Sequence, residues 1–161
     1  MFDRIFFMEV AALCLFFHLM IWLVLSQKQA AFVNDYPPVV TDKLRELGLI
    51  AKTPPARKTD ILRKVLAVII YSVLFALLLR CVNGIHTFME GALTAYRLWL
   101  VVDWYDFLVM DVLCASTDKF YRAAGVSGFE KTSMWFHFKG SLRGMIIGLV
   151  FAPIVGLLVM L

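Results

Sequence analysis

Apolar residues along this chain come in four long runs, and most polar residues gather between them. The runs lie at about 5–25, 65–82, 85–113 and 140–161. A bilayer core takes roughly 20 mostly apolar residues of helix. In lipid each backbone polar group must bond inside its own segment, which selects helices over strands. The pattern predicts an all-α integral membrane protein: a four-transmembrane-helix bundle forming one membrane domain over 1–161, with a long third helix. The first run is longer than the roughly 7–15 apolar residues of a signal-peptide core, and no small-x-small site follows it. It is therefore expected to be a retained span.

The polar stretches at about 27–62 and 116–139 predict two loops. Asp35-Tyr36-Pro37-Pro38 is expected to be extended, because a residue before proline is pushed out of the helical region. Thr41 is expected to cap a short helix through Leu47, with Gly48 ending it. Thr53-Pro54-Pro55 is a second break. Thr59 then reads as the cap of the second span, with Asp60 well placed in its first turn.

Composition strengthens the membrane reading. Of 161 residues, 61% are hydrophobic, against roughly 45–50% in soluble domains, and the mean hydropathy is +0.81. A net charge of +4 raises nucleic acid as a partner, but the bases stand in loops beside apolar runs. They fit topology signals and contacts to anionic lipid instead, so the expected partner is the lipid bilayer and no nucleic acid. Lys28, Lys43, Arg45, Lys52, Arg57, Lys58, Arg63 and Lys64 lie between the first two runs, and Lys119, Arg122, Lys131 and Lys139 between the last two, with Arg143 on the shoulder of the fourth. By the positive-inside rule both loops are cytoplasmic and both termini lie outside. A prokaryotic inner (plasma) membrane suits so compact a chain. Cys14, Cys81 and Cys114 form no CxxC pair and read as small apolar fillers.

On the fourth run Gly140, Gly144, Gly148, Ala152 and Gly156 recur every fourth residue. Such a stripe lets a second helix approach closely. The second helix belongs either to this chain or to another copy in a homo-oligomer. Pro153 is expected to kink the helix.

The informative residues are the ionisable ones inside the runs, because a charge at the bilayer centre costs roughly 2.5–3.5 kcal/mol on insertion scales. Glu9, Arg80, Glu90 and Arg97 form an outer group with balanced charge, expected to act as a structural network with Glu9 paired to Arg97. Asp103, Asp106 and Asp111 form an inner group on the third run. Asp103 and Asp106 share a helix face, and Asp111 falls about 80° from Asp103 around an α-helix. His18 on the first span is expected at the depth of Asp103. His137 and Glu130 lie in the loop entering the fourth span. Several carboxylates in one low-dielectric region need a cation, shared protons or bases from elsewhere. A divalent metal ion is one such cation, with carboxylates and imidazole suiting manganese, iron or zinc.

No P-loop, GxSxG or HExxH occurs. The pair Asp103-x-x-Asp106 resembles the DxxD of magnesium-dependent prenyl-diphosphate enzymes, which use more helices than four. Three functions fit the residues. The first is an oligomeric ion- or proton-coupled transporter or channel using the inner acids. The second is a metal-dependent membrane enzyme acting on a lipid or small phosphorylated substrate at the cytoplasmic interface. The third is an accessory subunit whose buried charges fix helix register.

Overall fold

The computed structural model describes residues 4–51 and 57–161. Every regular element among them is helical. Helix α1 spans Arg4–Lys28 and runs into a 3-10 stretch at Gln29–Asp35; α2 spans Pro38–Glu46, α3 Arg57–Cys81 and α4 Phe88–Tyr105. Helix α4 continues as a π-helix over Asp106–Leu113 and a 3-10 turn over Cys114–Thr117. Helices α5 (Lys119–Ala124) and α6 (Lys131–Leu158) complete the chain.

Among the described residues three helices are long and apolar enough to cross a membrane, over Arg4–Leu23, Lys64–Cys81 and Lys131–Leu158. The third of the four expected spans is helical as anticipated, but α4 carries Glu90, Arg97 and Asp103 within one membrane's length. That charge sets it apart from the other three. The fourth helix starts at Lys131 and not near Gly140, which shortens the second loop, and it continues through Pro153.

The chain forms two compact units, Met1–Pro55 with Val102–Leu142, and Ala56–Val101 with Arg143–Leu161. In the first, α2 and α5 enclose a small core in which Tyr36, Val40 and Leu44 cluster with Ala115, Tyr121 and Ala124. Pro37 is extended (φ −58°, ψ 147°) and Pro38 opens α2, where proline's fixed φ suits the first turn. Thr41 therefore lies inside the helix and does not cap it; its Oγ1 donates to the Pro38 carbonyl. Gly48 follows the end of α2 as expected, with positive φ. Helix α5 has a complete set of end signals. Asp118 accepts from the Phe120 and Tyr121 amides, and Gly125, at φ +67°, closes the other end in a conformation that a Cβ would oppose.

In the second unit α3, the first part of α4 and the later part of α6 pack by shape. Phe151 is fully buried, 5.1 Å from the Phe75 ring and 4.6 Å from Trp99. A Cβ added at Gly148 would lie 2.5 Å from Trp99, and one at Gly156 would lie 2.8 Å from the Phe88 carbonyl. The glycine stripe is thus occupied from within the chain at these two positions, while Gly140 meets open space. Trp99 Nε1 donates to the Gly144 carbonyl at 2.9 Å. Arg80 donates to the Val159 carbonyl at 2.7 Å, placing a cation on the negative end of α6. Thr59, expected at the cap position, lies within the described part of α3, two residues after Arg57. Thr53-Pro54-Pro55 lies outside the described residues.

Candidate functional site

The site begins with the widened helix. A π-helix bonds each carbonyl to the amide five residues on, so residues five apart take the place that residues four apart hold in an α-helix. On an α-helix Asp106 and Asp111 would fall about 140° apart. Over Asp106–Leu113 the π geometry brings them round to one side, and Asp106 lies within electrostatic reach of Asp111, Asp103 and Asp35. Asp103 keeps one buried carboxylate oxygen without a hydrogen-bond partner. The connection after α5 presses on the end of this segment. A Cβ at Gly128 would stand 2.5 Å from the Val112 carbonyl and 2.9 Å from that of Asp111, so only glycine seats the loop there.

From Asp111 a chain of hydrogen bonds runs into the protein. Asp111 Oδ2 is 2.8 Å from His137 Nδ1. His137 Nε2 is 2.7 Å from the Tyr121 hydroxyl, which is 2.7 Å from Ser133 Oγ. His137, Tyr121 and Ser133 are buried, while the Asp111 side chain is 29% exposed and opens the chain at one end. With Asp111 ionised, Nδ1 donates to it. A neutral imidazole then accepts at Nε2 from the Tyr121 hydroxyl, whose oxygen accepts from Ser133. Every donor in the chain therefore points towards Asp111. Burial pushes the Tyr121 phenol well above its ordinary range, the Ser133 hydrogen bond opposes this, and Asp111, Asp118 and Glu130 add to it. Tyr121 thus keeps its proton at neutral pH and acts as a donor.

The neighbouring groups hold this chain in place. Ser133 and His137 are one α-helical turn apart on α6, and the buried Ser141 continues the same face. The Tyr36 hydroxyl donates to Asp118 at 2.7 Å, and the Tyr36 ring lies 5.9 Å from that of Tyr121. That contact ties the start of α2 to the cap of α5 and covers Tyr121.

Not all of the anticipated inner residues meet. Asp111 and His137 are joined, with Asp106 and Asp103 nearby. His18 bonds through Nδ1 to the Tyr105 hydroxyl at 2.9 Å, at the end of α4 where the widening starts. Glu130 is exposed, and its Oε1 accepts from the Ser127 amide, so it serves a turn before α6. Among the described residues no three His, Cys, Asp or Glu side chains are grouped so as to hold a metal ion. Of the outer group, Glu9 is buried, Arg80 caps α6, and Glu90 accepts from Thr87 Oγ1 at 2.9 Å. Arg97 is exposed and belongs to the other unit from Glu9.

Tyr121, Ser133, Tyr36 and Gly128 were not singled out by the sequence. A signal existed for Ser133, since Ser133, His137 and Ser141 repeat every fourth residue. Another existed for Tyr121, which sits between an Asp cap and a Gly stop. Gly128 gave none, because its role depends on a carbonyl distant in sequence. No protein-family model, curated protein or solved structure matches this chain.

Proposed function

We propose that this chain is a proton-coupled transporter or channel subunit in which Asp111, His137, Tyr121 and Ser133 relay protons and Asp103 and Asp106 supply the acidic end of the path. One observation carries the reading: a buried, unbroken hydrogen-bonded chain in which an imidazole links a carboxylate to a phenol. Imidazole can accept a proton on one nitrogen while releasing one from the other, which makes histidine suited to shuttling. Ionisable groups in spanning segments commonly mark such paths. The reading includes a fourth span formed by α4 and its π-helical continuation, with both base-rich loops cytoplasmic and both termini outside, in a prokaryotic inner membrane. It also includes a homo-oligomer, since four helices alone are too thin to enclose a pathway. A metal-dependent enzyme is less well supported, because the acids and His137 do not converge on a common point.

The test is proton flux into liposomes that hold the purified protein and a pH-sensitive dye, under an imposed potential. Wild type is expected to acidify the lumen faster than empty liposomes, and His137→Ala and Asp111→Asn to remove most of the difference. Flux in both variants equal to that of folded wild type would overturn the relay and leave the chain a structural clamp.

A further inference from the structure

The first turns of α6 have two unlike faces. Ser133, His137 and Ser141 are buried on one. Lys131, Trp135 and Lys139 repeat every fourth residue and are all exposed. At about 100° per residue Trp135 points some 200° away from His137, so this second stripe lies opposite the relay. Trp135 is 55% exposed, yet it is held in place from behind. Its ring stacks on Phe138 at 5.4 Å and 18°, and Phe138 packs edge-on against Trp104 and Phe107. Lys139 Nζ lies 5.2 Å from the centre of the Trp135 ring, a cation–π distance. Glu130, the nearest acid in sequence, is bonded to the Ser127 amide.

We infer that Lys131, Trp135 and Lys139 form a binding site for the headgroup of an anionic phospholipid. One ammonium group lies over an aromatic ring and a second lysine stands one turn before it on the same stripe, and the helix that carries them is long and apolar enough to enter the bilayer. Indole rings settle at headgroup depth, and lysines beside them attract anionic lipid. Opposite charge selects the headgroup. The inference does not depend on the relay, because the residues concerned lie on the other face of α6.

The experiment is native mass spectrometry of the purified protein in detergent with added phosphatidylglycerol or phosphatidylcholine. Wild type is expected to retain phosphatidylglycerol in preference. Lys131→Gln with Lys139→Gln is expected to weaken retention about fivefold for each lysine. Lys131→Arg with Lys139→Arg is expected to keep it, and Trp135→Ala to weaken it without disturbing the helical circular dichroism. Equal retention of the two lipids by wild type would overturn the inference, as would undiminished phosphatidylglycerol binding in the Lys→Gln variant. Displacement of the lipid by inorganic phosphate alone would also overturn it, because the ligand would then be the free anion.

Discussion

In the unit built from α3, the early part of α4 and the later part of α6, neighbours meet by shape: Phe151 between Phe75 and Trp99, and Gly148 beneath the Trp99 ring. In the other unit the remaining lengths of α4 and α6 supply polar groups. Asp111 meets His137, and Ser133 reaches Tyr121. The same two helices therefore change how they are held part-way along their length. Lipid gives apolar helices no hydrophobic drive to associate, so association there depends on close contact, and glycine provides it. A hydrogen-bonded chain adds what apolar contact lacks, a fixed partner and direction for every donor. The backbone changes with it, since the regular α4 gives way to the π-helix at Asp106, three residues past Asp103.

Removing one imidazole should separate the two regions most clearly. His137→Ala leaves the Asp111 carboxylate and the Tyr121 hydroxyl without their partner, and an unmet buried polar group costs about 1–3 kcal/mol. With Asp111 partly solvated, a loss of about 2–4 kcal/mol is expected in chemical unfolding of the detergent-solubilised protein. Gly148→Ala is expected to cost about 1–3 kcal/mol by forcing Trp99 out of its seat. If the regions are independent, the two losses add to within about 0.5 kcal/mol in the double variant. A larger discrepancy would mean that the regions form one cooperative structure.

The sequence made the shape-packed region largely legible. Long apolar runs located α3 and the later part of α6, and the spacing of Gly148 and Gly156 pointed to close helix contact. The polar region was legible by residue type but not by arrangement. Asp106, Asp111 and His137 stand out as charges near lipid and the acids group in one region, but α-helical spacing leaves about 140° between Asp106 and Asp111, and a π-helix has no compositional signature. His137 falls in the expected loop because the fourth apolar run is taken to begin near Gly140. A helix exposed to lipid on one side can be aromatic there and polar within, so α6 begins at Lys131. The ends of α5 were marked by Asp118 and Gly125, but the predicted loop hid them.

Smaller changes sharpen the contrast within the polar region itself. Tyr36→Phe removes the hydrogen bond to Asp118 and should cost about 1 kcal/mol, with the helicity of α5 and not that of α6 reduced in amide hydrogen exchange. A comparable effect, confined to alkaline solution, concerns pH. An unfolded tyrosine releases its proton near 10.0, and folded Tyr121 holds its proton beyond that. Its contribution to stability is complete below pH 10 and falls as pH rises towards the folded value. Wild type should therefore lose up to roughly 1.4 kcal/mol per pH unit above 10 relative to Tyr121→Phe. Parallel alkaline curves for the two proteins would place the phenol in contact with water.

The widened stretch of α4 has a mechanical meaning too. A helix that changes pitch acts as a torsional coupling: winding Asp106–Leu113 from π to α geometry would rotate everything beyond it about the axis, swinging Asp111 away from Asp106. The loop seated on Gly128 bears on the carbonyls at the far end of that thread and works as its locknut. A side chain at residue 128 would back the nut off, and the spacing of the two carboxylates would no longer be set.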